Sequence, residues 1–364
     1  MNSVVKKKIL AVDDDPNVLG FLREALRQDY AFMFAKNGQE ALEKAASNLP
    51  DLILLDLDLG NESRVEGLEV CRKLKENPAT HAIPIIFVTG KIDADVETEG
   101  FALGAVDYIT KPPQVEVLLA RVQTHLSLVN VKHLENSYLE AIQMIGKAAH
   151  YNDAQFFIDT GLMQNYLQIM AEKFADEISD ISLLKLASTI YDVGKVGVSS
   201  VILNKRQDPV MGETDRCGGT WNELSEEDWE QFRKHPYIAE KLLDQSPAPV
   251  FKMACKIALN IHENFDGSGY PNGKSGKEIP FEARLVAVIE TFTSLTCKQS
   301  YREAWDFDNT LSYILSQKGK RFDPDIVDQL SLMMPYIEKA HLEWLQNQSS
   351  ADDQTASKIV QTTK

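Results

Sequence analysis

The sequence contains 364 residues, 44% of them hydrophobic, and its 54 acidic residues outnumber its 38 basic residues, giving a formal net charge of −16. This composition excludes a disordered chain. The acidic excess argues against a nucleic-acid partner and against contact with anionic lipid. At roughly 150 residues per domain, the length predicts two domains that each bury a core.

The cysteines and the N-terminal segment indicate the compartment. Cys71, Cys217, Cys255 and Cys297 are far apart in the sequence and form no CxxC pair, so we expect reduced thiols. The first apolar run, ILAV, is too short for the core of a signal peptide. No stretch approaches the roughly 20 apolar residues that span a bilayer. We therefore expect a cytoplasmic protein without a membrane partner.

Residues 1–126 alternate short apolar runs with amphipathic segments, which is typical of an α/β domain. The apolar runs lie at residues 8–12, 32–35, 52–57, 85–89 and 108–110. Strands that are apolar on both faces and separated by helices form a parallel sheet covered on both sides. The pattern predicts a doubly wound, flavodoxin-like domain with five strands. Ligands of such sheets bind at the carboxyl ends of the strands.

Residues 115–149 form one long helical pattern without proline. Within it Leu119, Val122, Leu126 and Val129 recur at steps of three and four residues, which is the spacing of a coiled-coil seam. We interpret this segment as a connecting helix that pairs with its copy in a homodimer. The alternative is a helix that packs on its own domain.

The remaining chain has a different character. Residues 150–345 carry helical patterns and few strand signals, which predicts an all-α second domain. Residues 346–364 are too polar to bury much surface, and we expect a disordered tail there.

Acidic residues end two of the predicted strands. Asp13 and Asp14 follow the first strand, Asp56 lies at the end of the third, and Thr89 and Lys111 lie at the ends of the fourth and fifth. Because these ends share one edge of the sheet, the carboxylates should lie close together and repel each other. Mg²⁺ is the natural ion to neutralise them. A phosphoryl donor polarised by the ion would then be attacked by one carboxylate, giving an aspartyl phosphate.

The motifs VDDDP, LLDLDLG, VTG and DYITKPP resemble, in order and spacing, the receiver domain of two-component response regulators over residues 6–126. This resemblance implies a sensor histidine kinase as partner. The roles it implies are Asp56 as phosphoacceptor, Asp13, Asp14, Asp56 and the backbone carbonyl of Asp58 as Mg²⁺ ligands, Thr89 and Lys111 as phosphoryl-binding residues, and Tyr108 as the aromatic switch. One departure, GNESRVEG at residues 60–67, lengthens the loop after Asp56 and removes no chemical group.

A second set of motifs lies in the predicted all-α domain. The motifs are YDVGK at 191–195, KHP at 234–236, HENFDGSGYP at 262–271, AR at 283–284, SYR at 300–302 and RFDP at 321–324. Together they resemble an HD-GYP domain over residues 140–335. That family is a branch of the HD metal-dependent phosphohydrolases and hydrolyses cyclic di-GMP.

The resemblance implies two or three metals held by His and Asp residues, one carboxylate bridging them. Three of the family's ligand positions are retained, at Asp192, His235 and His262. Three positions where the family has histidines are occupied by Asp159, Tyr191 and Ile261. Glu290 stands in place of an aspartate. Tyrosine is neutral near pH 7 and isoleucine cannot bind a metal, so we expect no dimetal centre and no transition metal here. The alternative is one metal held by Asp192, His235 and His262 with help from Glu290.

The substrate side of the motif set is also incomplete. The resemblance implies phosphate and nucleotide contacts from Lys195, Tyr270 and Arg302, which are retained. Gln299 and Ser300 replace an Arg-Pro pair, and glutamine cannot supply the charge of an arginine. We expect weakened nucleotide binding.

These residues predict a response regulator whose second domain is a catalytically inactive HD-GYP module that acts by binding. The expected partner is a cyclic di-GMP phosphodiesterase or a diguanylate cyclase, and the preferred version is an active phosphodiesterase inhibited until Asp56 is phosphorylated. One alternative is an active phosphodiesterase in which Tyr191, Asp159 or Glu290 substitutes for lost ligands. Another is a cyclic di-GMP receptor without catalysis.

Overall fold

The computed structural model describes residues 6–60, 66–90, 94–149, 151, 159–203, 225–299 and 303–362, with side chains throughout except at 66, 94–95 and 348–362. The chain divides into two compact units, Met1–Ser137 and Tyr138–Lys364. The division falls inside one long helix, the segment that the sequence predicts as a connector.

The first unit is a five-stranded parallel sheet with helices between the strands. Its elements are β1 Lys8–Val12, α1 Pro16–Leu26, β2 Ala31–Ala35, α2 Gly38–Asn48, β3 Leu52–Leu55, α3 Glu66–Glu76, β4 Ile85–Thr89, α4 Ala94–Ala102, β5 Asp107–Thr110 and α5 Val115–Ala149. The strand order is β2-β1-β3-β4-β5, and every neighbouring pair is parallel. The predicted doubly wound α/β class is confirmed.

Both faces of this sheet are buried, which explains the unbroken apolar runs. Leu10 and Ile53 belong to one core cluster, whereas their chain neighbours Ile9 and Leu54 belong to the cluster on the other face. Successive side chains of a strand point to opposite faces, so a strand that is buried on both faces is apolar at nearly every position.

The apolar seam of α5 packs on the first unit itself. Leu118, Val122 and Leu126 are buried in the cluster that also contains Ile9, and Leu119 packs against it. Leu119, Val122 and Leu126 of the predicted seam therefore pack on the sheet, because the same three- and four-residue spacing suits a helix lying on a sheet. This packing agrees with the alternative interpretation for these residues, and the homodimer stays a prediction.

The second unit is helical. After the end of α5 it contains α6 Thr160–Ala171, α7 Ile181–Ala187, α8 Ser200–Leu203, α9 Glu226–Phe232, α10 His235–Leu243, α11 Pro249–Ala258, α12 Phe281–Thr296, α13 Phe307–Ser316 and α14 Pro324–Thr362, with short 3₁₀ helices at Glu172–Phe174, Tyr191–Gly197 and Gly276–Glu278. Within the described residues of this unit there is no strand, and an isolated bridge joins Lys318 to Phe322. The predicted all-α class is confirmed.

Helix α12 is the centre of this unit, since nearly all of its side chains are buried. The last turns of α5 join the same core through Ile142 and Ala149. A Cβ atom on Gly146 would lie 2.3 Å from the carbonyl oxygen of Thr189, so only glycine allows α5 this close to the segment that precedes Tyr191.

The C-terminal segment differs from its prediction. Helix α14 continues to Thr362, whereas the sequence predicts a disordered tail from residue 346. Residues 346–362 contain neither glycine nor proline, so nothing in the local chemistry ends the helix there. No helix in the described part of the chain combines the length and the apolarity that a bilayer crossing requires.

Candidate functional sites

The acidic residues at the sheet edge are brought together as predicted. The N–H of Asp56 donates to the carbonyl of Val12 at 2.9 Å, so the backbone pairing of β1 with β3 continues to the cluster. One carboxylate oxygen from each of Asp13, Asp14 and Asp56 lies within 4.8 Å of the others. Asp13 and Asp56 are buried and Asp14 is exposed.

Lys111 connects two of these acids. Its Nζ atom lies 2.5 Å from Asp13 Oδ2 and 2.6 Å from Asp56 Oδ2, and its N–H donates to the carbonyl of Thr89 at 2.7 Å. Burial lowers the pKa of Lys111, but the hydrogen bonds to both acids outweigh burial and leave its pKa above the usual value. Burial raises the pKa of both Asp13 and Asp56, despite the ammonium beside them.

The donor set suits a hard divalent cation. Three carboxylates face one ammonium, so the cluster carries two uncompensated negative charges when every carboxyl is ionised. Oxygen ligands and excess negative charge are what Mg²⁺ sites provide. The loop after β3 closes on the cluster, because a Cβ atom on Gly60, whose φ is +82°, would lie 2.6 Å from Asp14 Oδ2. Asp58 lies on the same loop, between Asp56 and Gly60, and its backbone N–H donates to the carboxylate of Asp56.

Tyr108 lies inside the first unit. Its ring stacks on Phe87 with centroids 5.2 Å apart, and its hydroxyl donates to the carbonyl of Glu97 at 3.3 Å. Gly100 allows this position, since a Cβ atom there would lie 1.8 Å from the hydroxyl oxygen. Burial raises the pKa of Tyr108 to about 12. The coupling of this ring to Thr89 stays a prediction.

The second cluster is built by the 3₁₀ helix Tyr191–Gly197 and by α10. A Cβ atom on Gly194 would lie 1.9 Å from the carbonyl oxygen of His235 and 2.7 Å from the nitrogen of Ala239. Glycine at this position therefore lets the two elements pack backbone to backbone. That contact places Asp192 beside His235.

Three predicted metal ligands converge here. His235 Nε2 lies 2.7 Å from His262 Nε2 and 3.9 Å from Asp192 Oδ1. One donor atom from each of these residues lies within 4.8 Å of the others. His235 Nδ1 lies 2.7 Å from the carbonyl oxygen of Phe232, and a carbonyl can only accept, so the proton of the neutral ring sits on Nδ1.

Lys195 lies against the cluster. Its side chain is only 3% exposed, and Nζ lies 2.7 Å from Asp192 Oδ2. The ammonium thus faces a carboxylate of the cluster, and the contact of Lys195 with a substrate phosphate stays a prediction.

The other predicted metal positions do not join the cluster. The Tyr191 hydroxyl donates to Glu290 Oε1 at 2.7 Å, and both side chains are buried. Ile261 is part of the apolar core. Asp159 caps α6, because its carboxylate accepts the N–H of Leu162 at 2.8 Å.

The substrate-side residues are only partly described. Tyr270 stacks on His262 with centroids 4.8 Å apart and planes 6° apart, so it does lie beside the cluster. Gln299 is buried, and its amide donates to the carbonyl of Ser294 at 3.2 Å. Arg302 and Ser300 lie outside the described residues.

Sequence reasoning missed the residues that hold the loop after His262. The buried carboxylate of Glu263 accepts the N–H groups of Asn272 and Lys274 at 2.7 and 3.1 Å. The Tyr270 N–H donates to the carbonyl of His262 at 3.1 Å, which closes the loop over the histidine. An acid next to a histidine in the glycine-rich motif was the only sequence signal for this role.

The donor set of the second cluster, within the described residues, fits one transition-metal ion. Asp192, His235 and His262 are suitable ligands. Tyr191 and Glu290 bind each other, and Ile261 offers no donor atom.

Comparison with known proteins agrees with this division of the chain. A family model described as an HD domain matches residues 140–326, and one described as a response regulator receiver domain matches residues 9–123. A protein of Vibrio cholerae named as a probable cyclic di-GMP phosphodiesterase is 32% identical across 90% of this chain and 78% of its own length. The Xanthomonas campestris protein named as the cyclic di-GMP phosphodiesterase response regulator RpfG is 28% identical across 88% of this chain and 86% of its own.

A third relative, the cyclic di-GMP phosphodiesterase of Thermotoga maritima, is 27% identical across 88% of both chains. The matches span both units, and the matched boundaries leave the middle of α5 between the two domains. The chain belongs to the family of response regulators that join a receiver domain to an HD domain.

Proposed function

We propose that this response regulator is controlled by phosphorylation of Asp56, and that its HD domain acts in cyclic di-GMP signalling by binding a partner enzyme rather than by hydrolysis. The observation that carries the proposal is the buried hydrogen bond between Tyr191 and Glu290. It joins two side chains at positions where the family has metal ligands.

The chemistry of the first domain follows from the acid cluster. A carboxylate oxygen of Asp56 attacks the phosphorus of a kinase phosphohistidine, the P–N bond breaks, and the imidazole leaves with the electron pair and takes up a proton. Mg²⁺ held by Asp13, Asp14 and Asp56 would neutralise the phosphoryl oxygens during this transfer. Lys111, already 2.6 Å from Asp56, is within reach of the same oxygens.

The proposed absence of hydrolysis in the second domain follows from the number of side chains available to bind two metal ions. Two metals bridged by one carboxylate need both oxygens of that carboxylate and further donors for each ion. Asp192 has one oxygen against the ammonium of Lys195, and two other positions are tyrosine and isoleucine. Loss of even an indirect partner of a metal ligand costs roughly 10- to 100-fold in affinity or activity.

A second domain that does not hydrolyse cyclic di-GMP would act by regulating a partner. The preferred partner is an active cyclic di-GMP phosphodiesterase that this protein inhibits until Asp56 is phosphorylated. The relatives named as such phosphodiesterases support this choice of pathway. A homodimer stays a prediction.

The second candidate is an active phosphodiesterase with an unusual ligand set. The convergence of Asp192, His235 and His262 favours it, since three donors of a metal centre are present. The non-catalytic receptor is less well supported, because Lys195 pairs with Asp192.

Turnover separates these candidates directly. The full-length protein, loaded with Mn²⁺ or Fe²⁺, is incubated with cyclic di-GMP, and the linear dinucleotide is quantified. We expect no product above that formed by the Asp192→Asn, His235→Gln double variant. Steady product formation that the double variant loses would establish the second candidate.

The partner is tested in a second assay. The protein is added to an active phosphodiesterase of the family, once untreated and once with beryllofluoride and Mg²⁺ to mimic the phosphorylated receiver. We expect slower turnover with the untreated protein, relieved by beryllofluoride, and no relief for Asp56→Asn. Unchanged turnover in both states would refute the inhibitory version.

A further inference from the structure

The carboxylate of Asp107, the first residue of β5, joins that strand to α5. Its Oδ1 accepts the N–H of Tyr108 at 2.8 Å and contacts the guanidinium of Arg121. Its Oδ2 lies 3.0 Å from Nε2 of His125. Because Arg121 and His125 are four residues apart, they stand one turn apart on the same face of α5. One side chain of the strand therefore holds two successive turns of the helix.

This carboxylate carries a negative charge that the surrounding donors stabilise. Burial raises the pKa of Asp107, but the hydrogen bonds from Arg121, from His125 and from the backbone outweigh burial and leave its pKa below the usual value. An ionised carboxylate only accepts hydrogen bonds, so Nε2 of His125 carries the proton. The side chains of Asp107 and His125 are only 19% and 14% exposed, so water competes little for these bonds.

The opposite end of β5 leads to the proposed phosphoacceptor. Lys111 directly follows the strand, and its ammonium lies 2.6 Å from the carboxylate of Asp56. Phosphorylation of Asp56 brings new negative oxygens to this point and changes the charges that hold the ammonium. Within the described sheet β5 is an edge strand that pairs only with β4, so it can shift without breaking a second ladder.

The contacts of β5 with α5 differ in how they respond to such a shift. Ile109 lies in the core cluster that contains Leu118 and Val122 of α5, whereas Tyr108 lies in the cluster on the other face of the sheet. Since successive side chains alternate, Asp107 points to the α5 face like Ile109. The apolar contact of Ile109 has no preferred direction and tolerates sliding. The hydrogen bonds of Asp107 are directional, so a displacement of the strand acts on α5 through them.

We infer that Asp107 is a positioning residue that couples the phosphorylation state of Asp56 to α5 through strand β5. Lys111 moves with the phosphoryl oxygens, β5 shifts with Lys111, and the bonds from Asp107 to the helix lengthen. The turns of α5 that carry Arg121 and His125 then open more readily. The inference rests on the proposed phosphorylation of Asp56 and deepens it by naming the contact through which the receiver acts on the connecting helix.

Hydrogen exchange along α5 tests the coupling in the full-length protein. Exchange is measured with Mg²⁺ alone and with Mg²⁺ and beryllofluoride, which mimics the phosphorylated receiver. We expect the amides of residues 119–126 to exchange at least about threefold faster with beryllofluoride, since exchange follows local opening of the helix. Unchanged or slower exchange at these amides would overturn the inference.

Two matched variants assign the effect to Asp107. Asp107→Asn keeps the shape of the side chain but offers one acceptor oxygen instead of two, so the response of α5 to beryllofluoride should be lost. Asp51→Asn is the control, because Asp51 also accepts a strand N–H, that of Lys8, and pairs with Lys7, both at 2.8 Å, just before β3. The control should respond like the original protein.

A purely structural role of Asp107 predicts a different result. If the carboxylate only anchored α5, its loss would speed exchange equally with and without beryllofluoride. The ratio of the two rates would then match that of the original protein, and this outcome would overturn the inference. Arg121→Gln tests the same contact from the helix side without altering β5, so it serves if Asp107→Asn does not fold. A full response of α5 in Arg121→Gln would also count against the coupling.

The inference and the proposed function fail in different ways. Parallel samples are treated with a small-molecule phosphodonor, and the phosphorylated fraction is measured by intact mass. A phosphorylated receiver whose α5 does not respond overturns the inference and leaves the proposed function standing. A receiver that is not phosphorylated at Asp56 refutes the proposed control, and the inference with it.

Discussion

The Lys111 ammonium lies 2.6 Å from Asp56 Oδ2, so the proposed phosphoacceptor is already paired with a cation at the sheet edge. Asp58, two residues later, has an exposed side chain and contributes its backbone to the same cluster. The two aspartates therefore form a matched pair for mutagenesis.

Asp56→Asn should abolish acid-labile phosphorylation by a small-molecule phosphodonor with Mg²⁺. Asp58→Asn should retain it, because the proposed role of Asp58 uses only its carbonyl. Intact-mass measurement of the phosphorylated fraction is the test. Equal phosphorylation of Asp56→Asn and the original protein would place the phosphoacceptor elsewhere.

Asp13→Asn should stabilise the first domain at pH 7 in a chelating buffer. Burial raises the pKa of Asp13, so its ionised form is unfavourable in the folded state. A carboxyl group whose pKa is higher in the folded than in the unfolded state stabilises the fold at pH values below its unfolded pKa of about 3.9. This stabilisation is lost as the pH rises through the folded-state pKa. The advantage of the variant should therefore shrink as the pH falls from 7 toward 4.

Thermal unfolding of the first domain in the full chain measures this effect. A gain of 1 kcal/mol corresponds to a midpoint shift of about 4 °C for a domain of roughly 120 residues. Mg²⁺ should stabilise the original protein and have little effect on the variant, which lacks one carboxylate. A variant whose advantage stays constant from pH 7 to pH 4 would contradict the assignment to Asp13.

The receiver fold and its acid cluster could be predicted from the sequence because each feature is local. A parallel strand that is buried on both faces reads as an unbroken apolar run, and the residue that ends it is placed by the strand. The α5 seam was ambiguous because a helix on a sheet and a coiled coil use similar spacing.

The second cluster was only partly predictable for the opposite reason. The pairing of Tyr191 with Glu290 joins residues 99 positions apart, and no sequence pattern encodes which oxygen meets which hydroxyl. Lys195 could be recognised as retained, but its partner depends on how the 3₁₀ helix meets α10. Such roles follow from tertiary packing, which overrides position in a motif.

Tyr191→Phe should destabilise the second domain by about 1.5–3 kcal/mol, the range for a hydrogen bond to a charged group. The hydroxyl is buried with Glu290, and removing it takes a donor from the carboxylate. Tyr237→Phe is the control, since that tyrosine is exposed and its hydroxyl is 3.4 Å from Asn272 Oδ1. Chemical denaturation should show a change within about 0.5 kcal/mol for the control. Equal changes in both variants would mean that the buried bond contributes little.

Gly194→Ala should disrupt the second cluster while leaving the first domain intact. The added Cβ would lie 1.9 Å from the carbonyl oxygen of His235, so α10 must move away from the 3₁₀ helix and carry His235 away from Asp192. Overpacking of this kind costs about 1–3 kcal/mol or more.

Gly20→Ala is the control, because a Cβ there meets no described atom within 4 Å and alanine in a helix interior stabilises by about 0.5–1 kcal/mol. Unfolding followed by a probe in each domain should show a loss confined to the second domain for Gly194→Ala and a small gain in the first for Gly20→Ala. If Gly194→Ala left the second domain as stable as before, the close backbone contact would not be what positions His235, and the geometry of the cluster would need another cause.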